Sequence, residues 1–128
     1  MKKRWIVLLS VLLVFVPIFI SCRKEGLGGK ATILAYPRHG DHAIPAATLY
    51  LKFDAKEEPD NPRIEYDAIF VGNPSEVFIK VSEVKTGDYY LYITGFDSVD
   101  NYTVAGGVHV KISHSDRKSD LTVDVPVD

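Results

Sequence analysis

The chain has a single cysteine, Cys22, among its 128 residues. An intramolecular disulfide is therefore excluded, and stability has to come from a hydrophobic core. Helical periodicity is missing throughout, which excludes the all-α and α/β classes. There is no G-x-S-x-G elbow to present a nucleophilic serine. Basic charge is short: 15 Lys and Arg stand against 17 Asp and Glu, a net −2. Three of the basic residues (Lys2, Lys3 and Arg4) and no acidic ones fall within residues 1–21. The other 107 residues therefore carry 12 basic against 17 acidic, a net −5. Such a domain offers no basic stripe to a phosphate backbone, so no nucleic-acid partner is expected. A full membrane-spanning run is also lacking. The charge-free stretch Trp5 to Ile20 is sixteen residues long, against about 20 for a spanning helix, and Pro17 would break its end.

What the N-terminus does contain is the anatomy of an export signal. A basic start is followed by the apolar run, then by Ser21 and Cys22. That order keeps the N-terminus cytoplasmic and feeds the apolar core to the translocon. Phe19-Ile20-Ser21-Cys22 resembles the lipobox of bacterial lipoproteins, with Phe19 in place of the usual leucine. The resemblance implies cleavage before Cys22, a diacylglyceryl thioether and further acylation (palmitate) on that residue. It further implies a membrane partner reached through the lipid, at the bacterial outer membrane, facing the periplasm or the cell surface. An unpaired cysteine in an exported chain is thereby explained. Arg23 to Lys30 is polar and glycine-rich, and reads as a flexible tether. Arg23 is not the aspartate that retains many lipoproteins at the inner membrane, and Lys24-Glu25 partly resembles surface-export signals of Bacteroidetes lipoproteins. The expected organisation is a signal peptide (1–21), a lipidated tether (22–30) and one domain (31–128).

The domain reads as strands. Ala47 to Phe53 alternates, with Ala47, Leu49, Leu51 and Phe53 on one face. Val77 to Val81 alternates through Val77, Ile79 and Val81, and Tyr89 to Thr94 through Tyr89, Leu91 and Ile93. Ala31 to Tyr36, Tyr66 to Val71, Tyr102 to Ile112 with a bend at Gly106-Gly107, and Leu121 to Val127 complete the set. Short strands at regular spacing predict an all-β fold, a single antiparallel seven-stranded β-sandwich.

Two segments carry a family resemblance. Ile44-Pro45-Ala46-Ala47-Thr48-Leu49-Tyr50-Leu51 is similar to the second strand of transthyretin-like (prealbumin-like), or carboxypeptidase-regulatory-like, sandwiches, which are related to Cna-B-type modules. Lys85-Thr86-Gly87-Asp88-Tyr89-Tyr90-Leu91-Tyr92 is similar to their G-x-Y strand. Asn73 to Phe78 departs from the family, having no glycine where a D-x-x-G segment is usual. With the lipobox, the chain looks like small Bacteroidetes lipoproteins of this type. The hydrolases of the same fold end in Tyr-Arg-Gly-Ser, whereas this chain ends Val125-Pro126-Val127-Asp128. A non-catalytic accessory binding or scaffolding module is therefore expected, without a cofactor, partnered by an envelope protein or a glycan.

Candidate residues for binding are few. Tyr50, Tyr90 and Tyr92 project from the outer sheet face, where aromatic rings stack on sugars, anchor an interface or simply pair across strands. This face carries the alternative reading, a glycan or small-molecule binder. His39, Asp41 and His42 lie within one polar turn and are the candidate metal ligands, although the turn reads first as an exposed one, so no metal is expected. His109 and His114 read as solvated, as does the acidic loop Asp54 to Arg63. Asn101-Tyr102-Thr103 fits a glycosylation acceptor by chance.

Overall fold

The computed structural model describes residues 25–128, which form an all-β, sandwich-like fold. The export segment and Cys22 lie outside the described residues. Eight strands follow one another: β1 (Leu27–His39), β2 (His42–Ala43), β3 (Thr48–Phe53), β4 (Ala68–Val71), β5 (Ile79–Val84), β6 (Gly87–Asp97), β7 (Tyr102–Ile112) and β8 (Asp120–Pro126). No helix among the described residues is long and apolar enough to cross a membrane.

The strands form two sheets. In the first, β1 is central, with β5 antiparallel to it, β8 parallel to it and β2 paired to its last two residues. The second has the order β4-β3-β6-β7 and is antiparallel throughout. The expectation of seven antiparallel strands differs from this in two places. β2 lies in a segment read as a turn, because two residues are too few to show alternation. β8 runs parallel to β1, a direction that periodicity does not encode, since a strand looks the same read either way.

Alternation accounts for the core. Ala31, Ile33 and Ala35 of β1 face Leu49, Leu51, Leu91 and Ile93 of the second sheet, and all are buried. Burying a Leu or Ile side chain contributes about 1.5–3 kcal/mol relative to exposure, so this one layer supplies the stability that disulfides cannot. Several boundaries move: β1 runs on past Tyr36 to His39, β4 begins at Ala68, and β6 continues past Thr94 to Asp97. Val77, expected inward, is 49% exposed, and β5 starts at Ile79, opposite Ala35. Residues 27–30, expected in the tether, belong to β1 and meet Val84 through a bulge.

Both ends of the described segment are fastened. The buried Tyr89 hydroxyl accepts the Gly26 N–H at 2.8 Å and donates to the Lys85 carbonyl at 2.8 Å. Burial raises the Tyr89 pKa. Gly87 supplies the turn before it, at φ 138°. At the other terminus Asp128 and Ala105 exchange two backbone hydrogen bonds of 3.0 Å, which ties the end of the chain, beyond β8, to β7 in the opposite sheet. The chain can come that close because residue 106 is glycine. A Cβ there would lie 2.2 Å from the Pro126 carbonyl oxygen.

Candidate functional site

Strand parity brings charge to one end of the sandwich. On β1 the inward positions run Ala31, Ile33, Ala35, Pro37 and then His39. On β6 they run Tyr89, Leu91, Ile93 and, after Gly95, Asp97. Where the apolar core ends, an imidazole of one sheet therefore faces a carboxylate of the other. His39 Nδ1 lies 2.7 Å from Asp97 Oδ2, and His39 Nε2 lies 2.8 Å from the Tyr102 hydroxyl. His42 reaches the same place because β2 folds back across the turn Gly40-Asp41, which registers His42 against His39. Its Nδ1 stands 3.5 Å from Asp97 Oδ2.

Asp97 is the one buried charged side chain among the described residues, at 1% exposure. A buried carboxylate has to be compensated. Its Oδ2 takes the His39 contact, and its Oδ1 accepts the backbone N–H groups of Val99 at 2.8 Å and Asp100 at 3.3 Å. The latter bonds form an aspartate-capped turn, closed by Asn101 N–H to the Asp97 carbonyl at 2.7 Å. Asn101 holds φ 63° there, a conformation that asparagine tolerates better than most residues. The His39 hydrogen bond is the main reason the Asp97 carboxyl is held down at about 2, and the backbone donors add to it. The same bond raises the His39 pKa above its usual 6.5. The turn also delivers Asp100, whose Oδ2 lies 3.4 Å from His39 Nδ1 and 4.0 Å from His42 Nδ1.

Of the residues expected to form a site, His39 and His42 come together. Asp41 does not join them: it sits at the exposed tip of the turn. Their carboxylate partners are Asp97 and Asp100, some sixty residues further along. One signal for Asp97 was available. It continues the inward parity of Tyr89, Leu91 and Ile93, where an acidic residue needs a partner. Tyr50 and Tyr92 are register neighbours on the outer face, with ring centroids 6.3 Å apart and planes at 48°. Tyr66 packs on Tyr50 at 5.2 Å and 63°. Tyr50 and Tyr92 thus make a cross-strand ring contact between β3 and β6. Tyr90 lies over the backbone of Gly107. His109 is bound to Asp88 at 2.8 Å. His114 is exposed in a 3-10 turn, and the loop from Asp54 to Arg63 is largely exposed.

The opposite end of the molecule differs in charge. There Lys30, Lys85, Arg117 and Lys118 line a shallow depression beside Gly29, and no acidic residue lines it. No protein-family profile, no curated protein and no solved structure matches the chain.

Proposed function

We propose that the protein is a lipid-anchored, non-catalytic binding module of the bacterial outer membrane, held by acyl chains on Cys22 and facing the periplasm or the cell surface. Its domain is read as a prealbumin-like sandwich. Seven of the eight strands have four or more residues, and the two segments that resemble the family's motifs fall on β3 and β6, which pair directly. The observation that carries the reading is that β1 separates the tether from the histidine–aspartate cluster. Its thirteen residues place Leu27 and His39 at opposite ends, about 40 Å apart at the usual rise of a strand. An anchor at Cys22 then leaves the cluster on the side away from the bilayer. The basic depression at the near end supports the same orientation, because anionic headgroups attract Lys and Arg close to the surface. Two or three acyl chains, at about 0.8 kcal/mol per buried CH₂, make such attachment effectively permanent.

The non-catalytic reading rests on the sequence, which holds no G-x-S-x-G elbow to present a nucleophilic serine. His39 Nδ1 is held by Asp97 and Nε2 by Tyr102, which fixes the ring in place. The mutual packing of Tyr50, Tyr66 and Tyr92 favours a structural role for that face over glycan stacking.

Metabolic labelling with radioactive palmitate tests the anchor. The wild-type chain should incorporate label and sediment with outer membranes, and Cys22→Ala should do neither. Label retained by the variant refutes the anchor.

A further inference from the structure

We propose that His39, His42, Asp97 and Asp100 form a binding site for a divalent first-row transition metal ion of the zinc type. One donor atom from each of these four side chains lies within 4.8 Å of every other. The four contacts between imidazole Nδ1 and aspartate Oδ2 measure 2.7, 3.4, 3.5 and 4.0 Å. With metal–nitrogen and metal–oxygen bonds of about 2.0–2.2 Å, the edge of a tetrahedral site is about 3.4 Å. These four separations bracket that edge.

Three further observations point to a cation. First, His42 Nδ1 is buried without a hydrogen-bond partner. A buried polar atom left unsatisfied costs free energy, and a metal bond is the interaction that a lone pair aimed at two carboxylates can make. Second, with both imidazoles neutral, as metal ligands must be, the two carboxylates leave a charge of −2, which a divalent ion cancels. Asp97 is the buried member of that pair. Third, the outer contacts suit metal-bound ligands. With Nδ1 on the metal, His39 Nε2–H donates to the Tyr102 hydroxyl 2.8 Å away, which fixes the tautomer and the ring plane. Asp97 keeps its two backbone donors on Oδ1 while Oδ2 binds.

The donor set selects the class of ion. Two imidazole nitrogens with two carboxylates suit zinc and its first-row neighbours. Calcium, which takes six to eight oxygens, would be poorly served. Four protein ligands close the coordination sphere, as in structural rather than catalytic zinc sites. A bound ion would clamp the end of β1 to the β6–β7 turn and so fix the surface opposite the tether. The inference deepens the binding-module reading at this cluster and does not depend on the lipid.

The test is a titration of the full-length, chelator-treated chain in detergent micelles with zinc chloride against a chromophoric zinc indicator. The expected result is one zinc per chain, with calcium and magnesium failing to compete. His42→Ala should weaken binding about tenfold or more, while its far-UV circular dichroism stays that of the wild type, because alanine keeps the backbone pairing of β2 with β1. Tyr102→Phe should weaken binding about tenfold through its effect on the His39 ring. His109→Ala, remote from the cluster, should bind as the wild type does. Nitrogen-15 NMR should show zinc-dependent shifts at Nδ1 of His39 and His42. Absence of stoichiometric zinc binding, unchanged affinity in His42→Ala, or loss of binding in His109→Ala overturns the site. Palmitate labelling reads the anchor and the titration reads the metal, so failure of one is distinguishable from failure of the other.

Discussion

At the scale of single residues, polar side chains decide how the core is closed at its two ends. Tyr89 does this at the end where β1 begins. Its ring is fully buried, stacked edge-on to Phe53 at 5.9 Å, and its hydroxyl holds Gly26 and Lys85. Tyr89→Phe keeps the ring and strands those backbone groups. The expected loss is about 1–3 kcal/mol, read as a lower urea midpoint, with faster amide exchange at Gly26. The outer face has a titrating pair. Asp88 accepts from His109 Nε2 at 2.8 Å, and this bond lowers the Asp88 pKa below 3.8. A carboxyl whose folded pKa is lowered contributes stability above its unfolded value and loses it as the pH falls through the folded one. Asp88→Asn should therefore reduce the melting temperature slightly at neutral pH. The gap to the wild type should close below about pH 3.8, and a gap that widens in acid contradicts the assignment. The pair is partly exposed, so the effect at neutral pH is small.

Elements show what alternation can and cannot convey. Gly106 is the point where β7 meets the end of the chain, and a side chain there would strike the Pro126 carbonyl. Gly106→Ala should cost about 1–3 kcal/mol by forcing the backbones apart, measured by thermal unfolding, with the loss of protection concentrated at Ala105 and Asp128. The sequence marked Gly106-Gly107 as a bend but gave no reason for it, because the reason is a segment twenty residues away. The same limit recurs elsewhere. β3 and β6 were legible because Leu49, Leu51, Tyr89, Leu91 and Ile93 alternate cleanly with polar or half-buried neighbours. Val77 continues the pattern of Ile79 and Val81 and so predicts β5 two residues early, although the turn before it leaves Val77 in solvent. His39 and His42 were visible as a local pair, and Asp41 was grouped with them only by adjacency. A two-residue turn places positions 39 and 42 across from one another and points its tip away. Asp97 and Asp100 belong to the cluster through the meeting of two sheets, which no local pattern expresses.

At the scale of the whole molecule, β1 organises the fold. Hydrogen bonds join it to β5 along one edge and to β8 along the other, and its last residues pair with β2. It is also the strand nearest the N-terminal segment and the one that ends at the histidine–aspartate cluster. This has a mechanical consequence. A pull on the N-terminal side of residue 27 acts along the axis of β1, so the hydrogen bonds to β5 and β8 share the load and must slip together. They are not peeled away one at a time. The Tyr89 clasp on Gly26 takes up strain first. If the cluster holds an ion, the far end of the same strand is pinned across the sheets. A domain built this way is hard to unfold by a pull at the start of β1, whatever it meets at the opposite end.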